Sequence, residues 1–151
     1  MTPNEIGFLA MVRYSEGTAK AENPYAVTFG YEFTITDFTD HPTLLGTWPG
    51  VTQKNGQHTT AAGAYQFEVN TWLGCKRVYA AKDFSPAEQD RIALCLVNER
   101  HALDAINAGD IETAIAKCAA EWASLPGSQS GQPQRRIADL LAAYNTGRAN
   151  A

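Results

Sequence analysis

Glu16 is the residue whose type and place best suit chemistry. It closes an apolar run containing Ile6, Phe8, Leu9, Met11 and Val12, and Gly17 follows it. A helix through that run would end on a carboxyl group set among nonpolar side chains. Burial disfavours the charged form of a carboxyl. The partial negative charge at a helix C-terminus disfavours a second negative charge there. Both effects keep a proton on the acid near neutral pH. Such a group can protonate a leaving oxygen, the first requirement of glycosidic cleavage. By position alone, Glu16 reads more readily as an ordinary surface glutamate at a helix end.

Other polar residues compete for a role. Asp37 or Asp40 could supply the second carboxylate of a hydrolytic pair. Asp40-His41-Pro42 suits a turn better, with the Asp side chain bonding its own backbone. Glu22 reads as a solvated charge in a polar loop. Trp48, Trp72 and Trp122 could each stack on a sugar ring. Trp72 and Trp122 fall in helical segments and read as core, whereas Trp48 lies in a long loop and is the better candidate. His41, His58 and His101 are scattered, without a carboxylate or Cys partner at ligand spacing. Cys75, Cys95 and Cys118 form no CxxC pair, and HExxH is absent, so neither a zinc site nor a disulfide framework is indicated.

The elements that must position these groups can be read along the chain. Thr2-Pro3-Asn4-Glu5 is a capping box with proline at the first helical position. The helix it opens should run to Gly17, with Leu9, Val12 and Glu16 on one face. Tyr25 to Thr36 alternates in the manner of two short strands joined near Gly30. Asp37 to Thr60 reads as an irregular loop with a short helix around Leu44-Leu45. Helices follow from Tyr65 to Leu73, ended near Gly74, and from Ser85-Pro86 through Glu99, where Glu88 would complete a second capping box. Further helices run from His101 to Ala108, from Asp110 through Trp122, and from Pro133 to Tyr144. Tyr144 reads as core and Asn145 as part of a helix cap. The expected class is α+β, mostly helical, with a small antiparallel sheet in the N-terminal third.

The chain as a whole sets limits. Its 151 residues suit one domain, long enough for a core without staples. A net charge of −4 disfavours nucleic acid as a partner. Arg135-Arg136 and Lys76-Arg77 read as solvated helix faces. No basic leader with an apolar stretch opens the chain, and no run of 18 apolar residues occurs, so no membrane insertion is expected and the chain should be made in the cytoplasm.

Five short motifs occur in order: Ser15-Glu16-Gly17-Thr18, Thr39-Asp40-His41-Pro42, Gly63-Ala64-Tyr65-Gln66, Asp83-Phe84-Ser85-Pro86 and Trp122-Ala123-Ser124-Leu125-Pro126-Gly127. Each is weak alone. Together, across nearly the whole chain, they resemble the bacteriophage lambda-type endolysins. The resemblance implies a single lysozyme-like catalytic domain over residues 1–151, acting on peptidoglycan glycan strands as a lytic transglycosylase. It implies Glu16 as the catalytic residue, with Tyr65 and Gln66 at the substrate, and Thr60 in the segment that leads to them. No cofactor or metal is implied. A monomer is expected, held in the host cytoplasm until a separate holin admits it to the periplasm. The competing expectations are a hydrolytic muramidase using Glu16 with Asp37 or Asp40, and an inactive glycan-binding module. The chain departs from the family pattern in carrying Ala64 in place of an Arg before the Tyr-Gln pair. Ser130 stands where the family has a saccharide-contacting aromatic, and Ala26 where it has an Asp.

Overall fold

Thr2 caps the first helix, α1 (Pro3–Glu16), as its sequence signature demands. The Thr2 hydroxyl accepts from the Glu5 amide at 3.2 Å, and the Glu5 carboxylate accepts from the Thr2 amide at 2.9 Å. Gly17 ends the helix in the left-handed region at φ 79°, where a residue without a Cβ is unstrained. The computed structural model describes all residues, Met1–Ala151. Five further helices follow: α2 (Val69–Tyr79), α3 (Pro86–Glu99), α4 (Leu103–Ala108), α5 (Ile111–Cys118) and α6 (Ile137–Ala149). One antiparallel hairpin, β1 (Val51–Thr52) and β2 (His58–Thr59), pairs Val51 with Thr59 and Thr52 with His58. The class is α+β.

The chain packs as two units, residues 1–19 with 93–151 and residues 20–92. In the first, α1 lies against α6 over much of its length. Phe8, Leu9, Met11 and Val12 of α1 are buried, as are Ile106, Ile115, Leu125 and Leu140. Gly7 and Gly147 allow the two helices to approach closely. A Cβ on Gly7 would stand 2.8 Å from the Tyr144 carbonyl oxygen, and one on Gly147 would collide with Ala10. The second unit is built on aromatic rings. Trp72 meets Phe84 edge-on at 4.7 Å between centroids, and Phe67 sits 5.3 Å from Trp72. The His41 ring packs edge-on against Phe84. Its Nε2 bonds the Phe67 carbonyl at 2.9 Å, and its Nδ1 accepts from the Thr43 amide. Burial pushes the His41 pKa down, which keeps it neutral.

Several expectations are corrected. Residues 25–36 form no continuous strands. The chain there makes single 3-10 turns at Pro24–Ala26 and Phe29–Tyr31, with the isolated bridges Val27–Thr34 and Thr28–Ala62. Gly30 at φ 66° breaks any extended path. The true hairpin lies inside the segment read as an irregular loop. There is no helix around Leu44-Leu45, only hydrogen-bonded turns such as Leu44 N to His41 O. α2 begins at Val69, since Tyr65 and Gln66 occupy a turn between the bridged residues Ala62 and Phe67. Gly74 does not end α2; Ala80, at φ 51°, does. Glu88 closes no box on Ser85, whose amide bonds Asp83, because the Glu88 carboxylate is held by Arg91 and the Lys82 amide. α5 stops at Cys118, and turns carry the chain onward to Trp122. α6 starts at Ile137 and runs past Asn145, which lies within it.

Candidate active site

Glu16 is the last residue of α1, and the αL turn at Gly17 leads the chain away from it. Its Oε1 accepts from the Ser124 hydroxyl at 2.5 Å. Ser124 Oγ in turn lies 2.6 Å from Ser15 Oγ. Arg135 ties the backbone of both serines together. Its amide donates to the Ser124 carbonyl at 2.9 Å, and its Nε donates to the Ser15 carbonyl at 3.2 Å. The guanidinium also sits over the Tyr14 ring, 5.6 Å from the centroid. Residues 133–136 therefore stay outside the helix that was expected there, with Arg135 bonded to the carbonyls of both serines.

Burial dominates the acidity of Glu16. Its side chain is only partly accessible, and loss of hydration lifts its pKa from 4.5 to about 7. The Ser124 hydrogen bond and the positive charge of Arg135 oppose the rise without cancelling it. The result is a carboxyl poised to give up and regain a proton near neutral pH, the condition for acid–base work.

The other sequence candidates lie in residues 20–92. Tyr65 is fully buried, and its hydroxyl donates to Asp90 of α3, which also receives the Tyr25 hydroxyl at 3.0 Å. A ring so enclosed braces its turn and offers no face for stacking. Gln66 sits on a strained backbone at φ 51° and is partly exposed. Its Nε2 donates to the Gly63 carbonyl at 3.0 Å, which leaves Oε1 as an acceptor without a protein donor. Thr60 is buried, and its amide and hydroxyl donate to Glu68 at 2.8 and 2.6 Å. The Thr60 hydroxyl also accepts from the Val69 amide, so it anchors the start of α2. Trp48 is 6% exposed and has almost no free ring face. Trp72 and Trp122 are buried, as their helical settings suggested.

Neither candidate second carboxylate is free. Asp37 is fully solvated, and it accepts from the Thr39 amide and hydroxyl, which pull its pKa down. Asp40 accepts from the His41 amide at 2.8 Å and the Trp72 indole at 3.0 Å, and it pairs with Lys76. Lys76 is thus a structural partner rather than a purely solvated charge. Burial works against the Asp40 charge, but these donors outweigh it and lower the pKa.

Sequence reasoning missed Ser15, Ser124 and Arg135 as neighbours of Glu16, and Gln89 and Asp90 as braces of the Tyr65 turn. Gln89 is fully buried, accepts from the Ala64 amide at 2.8 Å and donates to the Phe84 carbonyl at 2.8 Å. Ser124 stands 108 residues from Glu16, so no local spacing could link them.

Comparison with known proteins places the chain in a family. Residues 6–150 match the Endolysin family. The chain is 39% identical to the endolysin of Escherichia phage P2, over 95% of this chain and 92% of that protein. It is 40% identical to the endolysin of Escherichia phage lambda, over 91% and 86% respectively. Among solved structures it resembles phage lambda lysozyme complexed with a chitohexasaccharide. The TM-score is 0.88 at 36% identity, covering 97% of this chain and 95% of that one. A second structure of lambda lysozyme gives a TM-score of 0.84. The chain belongs to the endolysin family, of the type represented by phage lambda.

Proposed function

We propose that this protein cleaves the β-1,4 bond between N-acetylmuramic acid and N-acetylglucosamine in peptidoglycan, by lytic transglycosylation. The observation that carries the reading is Glu16: a single carboxyl, kept protonated near neutrality by burial, with a donor on one oxygen only. In the first step Glu16 gives its proton to the oxygen leaving the muramic acid, and the bond to the anomeric carbon breaks. In the second, the Glu16 carboxylate takes the proton from that sugar's own C6 hydroxyl, whose oxygen closes onto the anomeric carbon. A 1,6-anhydro ring results, no water is added, and Glu16 returns to its starting state. A nucleophile within the substrate acts at high effective concentration and needs no second carboxylate to activate it. The engagement of Asp37 and Asp40 with their own structural donors supports this reading over a two-carboxylate hydrolysis.

The remaining roles follow from the surroundings of each residue. Gln66 offers its amide oxygen to a saccharide hydroxyl or acetamide N–H. Tyr65 and Thr60 hold the segments on either side of that contact. Trp48, being buried, contributes shape rather than stacking. The substrate is the glycan strand, and we read the protein as a monomer held in the host cytoplasm until a holin opens the way to the periplasm. No helix is long and apolar enough to cross a membrane.

Mass spectrometry of digested peptidoglycan tests the mechanism. Anhydro-muramic ends are expected from the wild type, and no new ends from Glu16→Gln. Reducing ends alone would replace transglycosylation by hydrolysis. Products from Glu16→Gln at the wild-type rate would remove Glu16 from the chemistry.

A further inference from the structure

The hydroxyls beside Glu16 have a direction. Ser15, Ser124 and Glu16 form a chain of two short hydrogen bonds, 2.6 and 2.5 Å long. Two arrangements of the hydrogens fit those distances. In one, Ser15 donates to Ser124, and Ser124 donates to Oε1 of Glu16. In the other, a protonated Oε1 donates to Ser124, Ser124 donates to Ser15, and the Ser15 hydrogen has nowhere to go. Ser15 is 2% exposed, and its hydroxyl has no protein partner besides Ser124. A buried hydroxyl hydrogen without an acceptor is strongly disfavoured. Only the first arrangement satisfies both hydroxyls, and it terminates on the carboxyl oxygen.

That polarity has a chemical consequence. An oxygen that accepts from Ser124 cannot point its own proton along the same line. Oε2 has no hydrogen-bond partner in the protein. We propose that Ser124, backed by Ser15, is the positioning residue of the acid: it reserves Oε1 as an acceptor and so places the reactive proton on Oε2. The proposal rests on the reading of Glu16 as the acid. As the O–H bond at Oε2 breaks, the new carboxylate keeps the Ser124 donor on Oε1, and no rotation of the carboxyl is needed before Oε2 takes a proton back. Arg135 sets the geometry, since it bonds the backbone carbonyls of both Ser15 and Ser124. Its guanidinium is also the charge that acts on Glu16, alongside the Ser124 hydroxyl and the burial already described.

The test is the pH–rate profile of Ser124→Ala, Ser124→Thr and Ser15→Ala on purified peptidoglycan, with thermal melts of each. Removing the Ser124 donor withdraws stabilisation from the carboxylate, so Glu16 stays protonated to higher pH. The alkaline limb of Ser124→Ala should move up by about one unit, and its kcat should fall about 10- to 100-fold, the size of one hydrogen bond to a charged group. KM should change little. Ser124→Thr keeps a hydroxyl and should bring the limb back toward wild type. Ser15→Ala should shift it the same way by a smaller amount, and it carries the test if Ser124→Ala fails to fold. A wild-type limb and kcat in a folded Ser124→Ala, or an unmoved limb in Ser15→Ala, overturns the proposal. Glu16→Gln separates the two levels: if it is inactive while Ser124→Ala behaves as wild type, only the serine role is lost. If Glu16→Gln is active, the acid itself was misassigned.

Discussion

At the scale of single residues, the raised pKa of Glu16 joins activity to stability. On the proposed mechanism Glu16 must start protonated, so kcat/KM should fall as pH rises through about 7, the value to which burial lifts the carboxyl. The same shift makes a stability statement. Between 4.5 and about 7 the folded protein holds a proton that the unfolded chain has lost. Stability is therefore fullest below 4.5, as far as this group is concerned, and declines as pH rises to about 7. Glu16→Gln removes the buried charge without removing the side chain. It should stabilise the protein at pH 8 by roughly 2–3 kcal/mol and by little at pH 5, read from denaturant melts at the two values. An equal effect at both pH values would mean that Glu16 is not held protonated. Asp40 behaves in the opposite sense. Its pKa lies below the ordinary carboxylate value, so its contribution is present above that value and is lost as pH falls through the lowered one. Asp40→Ala takes the acceptor away from the Trp72 indole N–H and from Lys76. It should lower stability by about 1–3 kcal/mol, while the folded fraction keeps its specific activity. Loss of activity with an unchanged melt would instead make Asp40 part of the chemistry.

At the scale of elements, the crossing of α1 and α6 decides how firmly Glu16 is held. Alanine is intrinsically the better helix former, by about 1 kcal/mol over glycine. Yet a Cβ at Gly147 would collide with Ala10, and the neighbour is a helix with no room to yield. Overpacking should win, and Gly147→Ala should destabilise by about 1–3 kcal/mol in thermal or urea unfolding. A more stable Gly147→Ala would show that the helices are not in close contact. The elements differ in how far they could be read in advance. α1 was fully legible, because its box, its proline and its terminal glycine are all local signals. The class was legible too, but the place of the sheet was not. Val27 and Ile35 alternate with smaller residues as strand residues do and both are buried, yet the chain around them makes only 3-10 turns and isolated bridges. The real hairpin carries an Asn55-Gly56 turn signal, which was lost in a polar, proline-containing stretch whose strands are two residues each. Residues 133–136 read as helix from their composition, but Arg135 is bonded to Ser124 and Ser15 and the helix starts only at Ile137. Tertiary partners overrode local preference at just the segment that touches the acid's surroundings. Glu16 was visible through its motif; its donor Ser124 was not, because it reaches Glu16 from 108 residues along the chain.

At the scale of the molecule, the order of elements makes the site late to form. Residues 20–92 are contiguous, but the unit that contains Glu16 is assembled from residues 1–19 and 93–151. Its first helix is completed by its last, so α1 lacks its main cover until the chain beyond Ile137 has folded back. Leu140 and Tyr144 supply that cover, and both are buried. A chain truncated after Arg136 should leave the apolar face of α1 exposed. Loss of this packing exceeds what a marginally stable protein can absorb, given a total stability of only about 5–15 kcal/mol. Two buried thiols report the outcome separately. Cys118 lies in the unit with α1, and its thiol pKa is pushed up to about 12, mainly by burial; Cys75 lies in the other unit and is also buried. In the full-length protein at pH 8, only the partly exposed Cys95 should react quickly with a thiol reagent. In the truncated chain Cys118 should react at the rate of a free thiol, with loss of wall-cleaving activity. If Cys118 stays protected after truncation, α6 is a dispensable cover and the packing of α1 against it does not hold the acid in place.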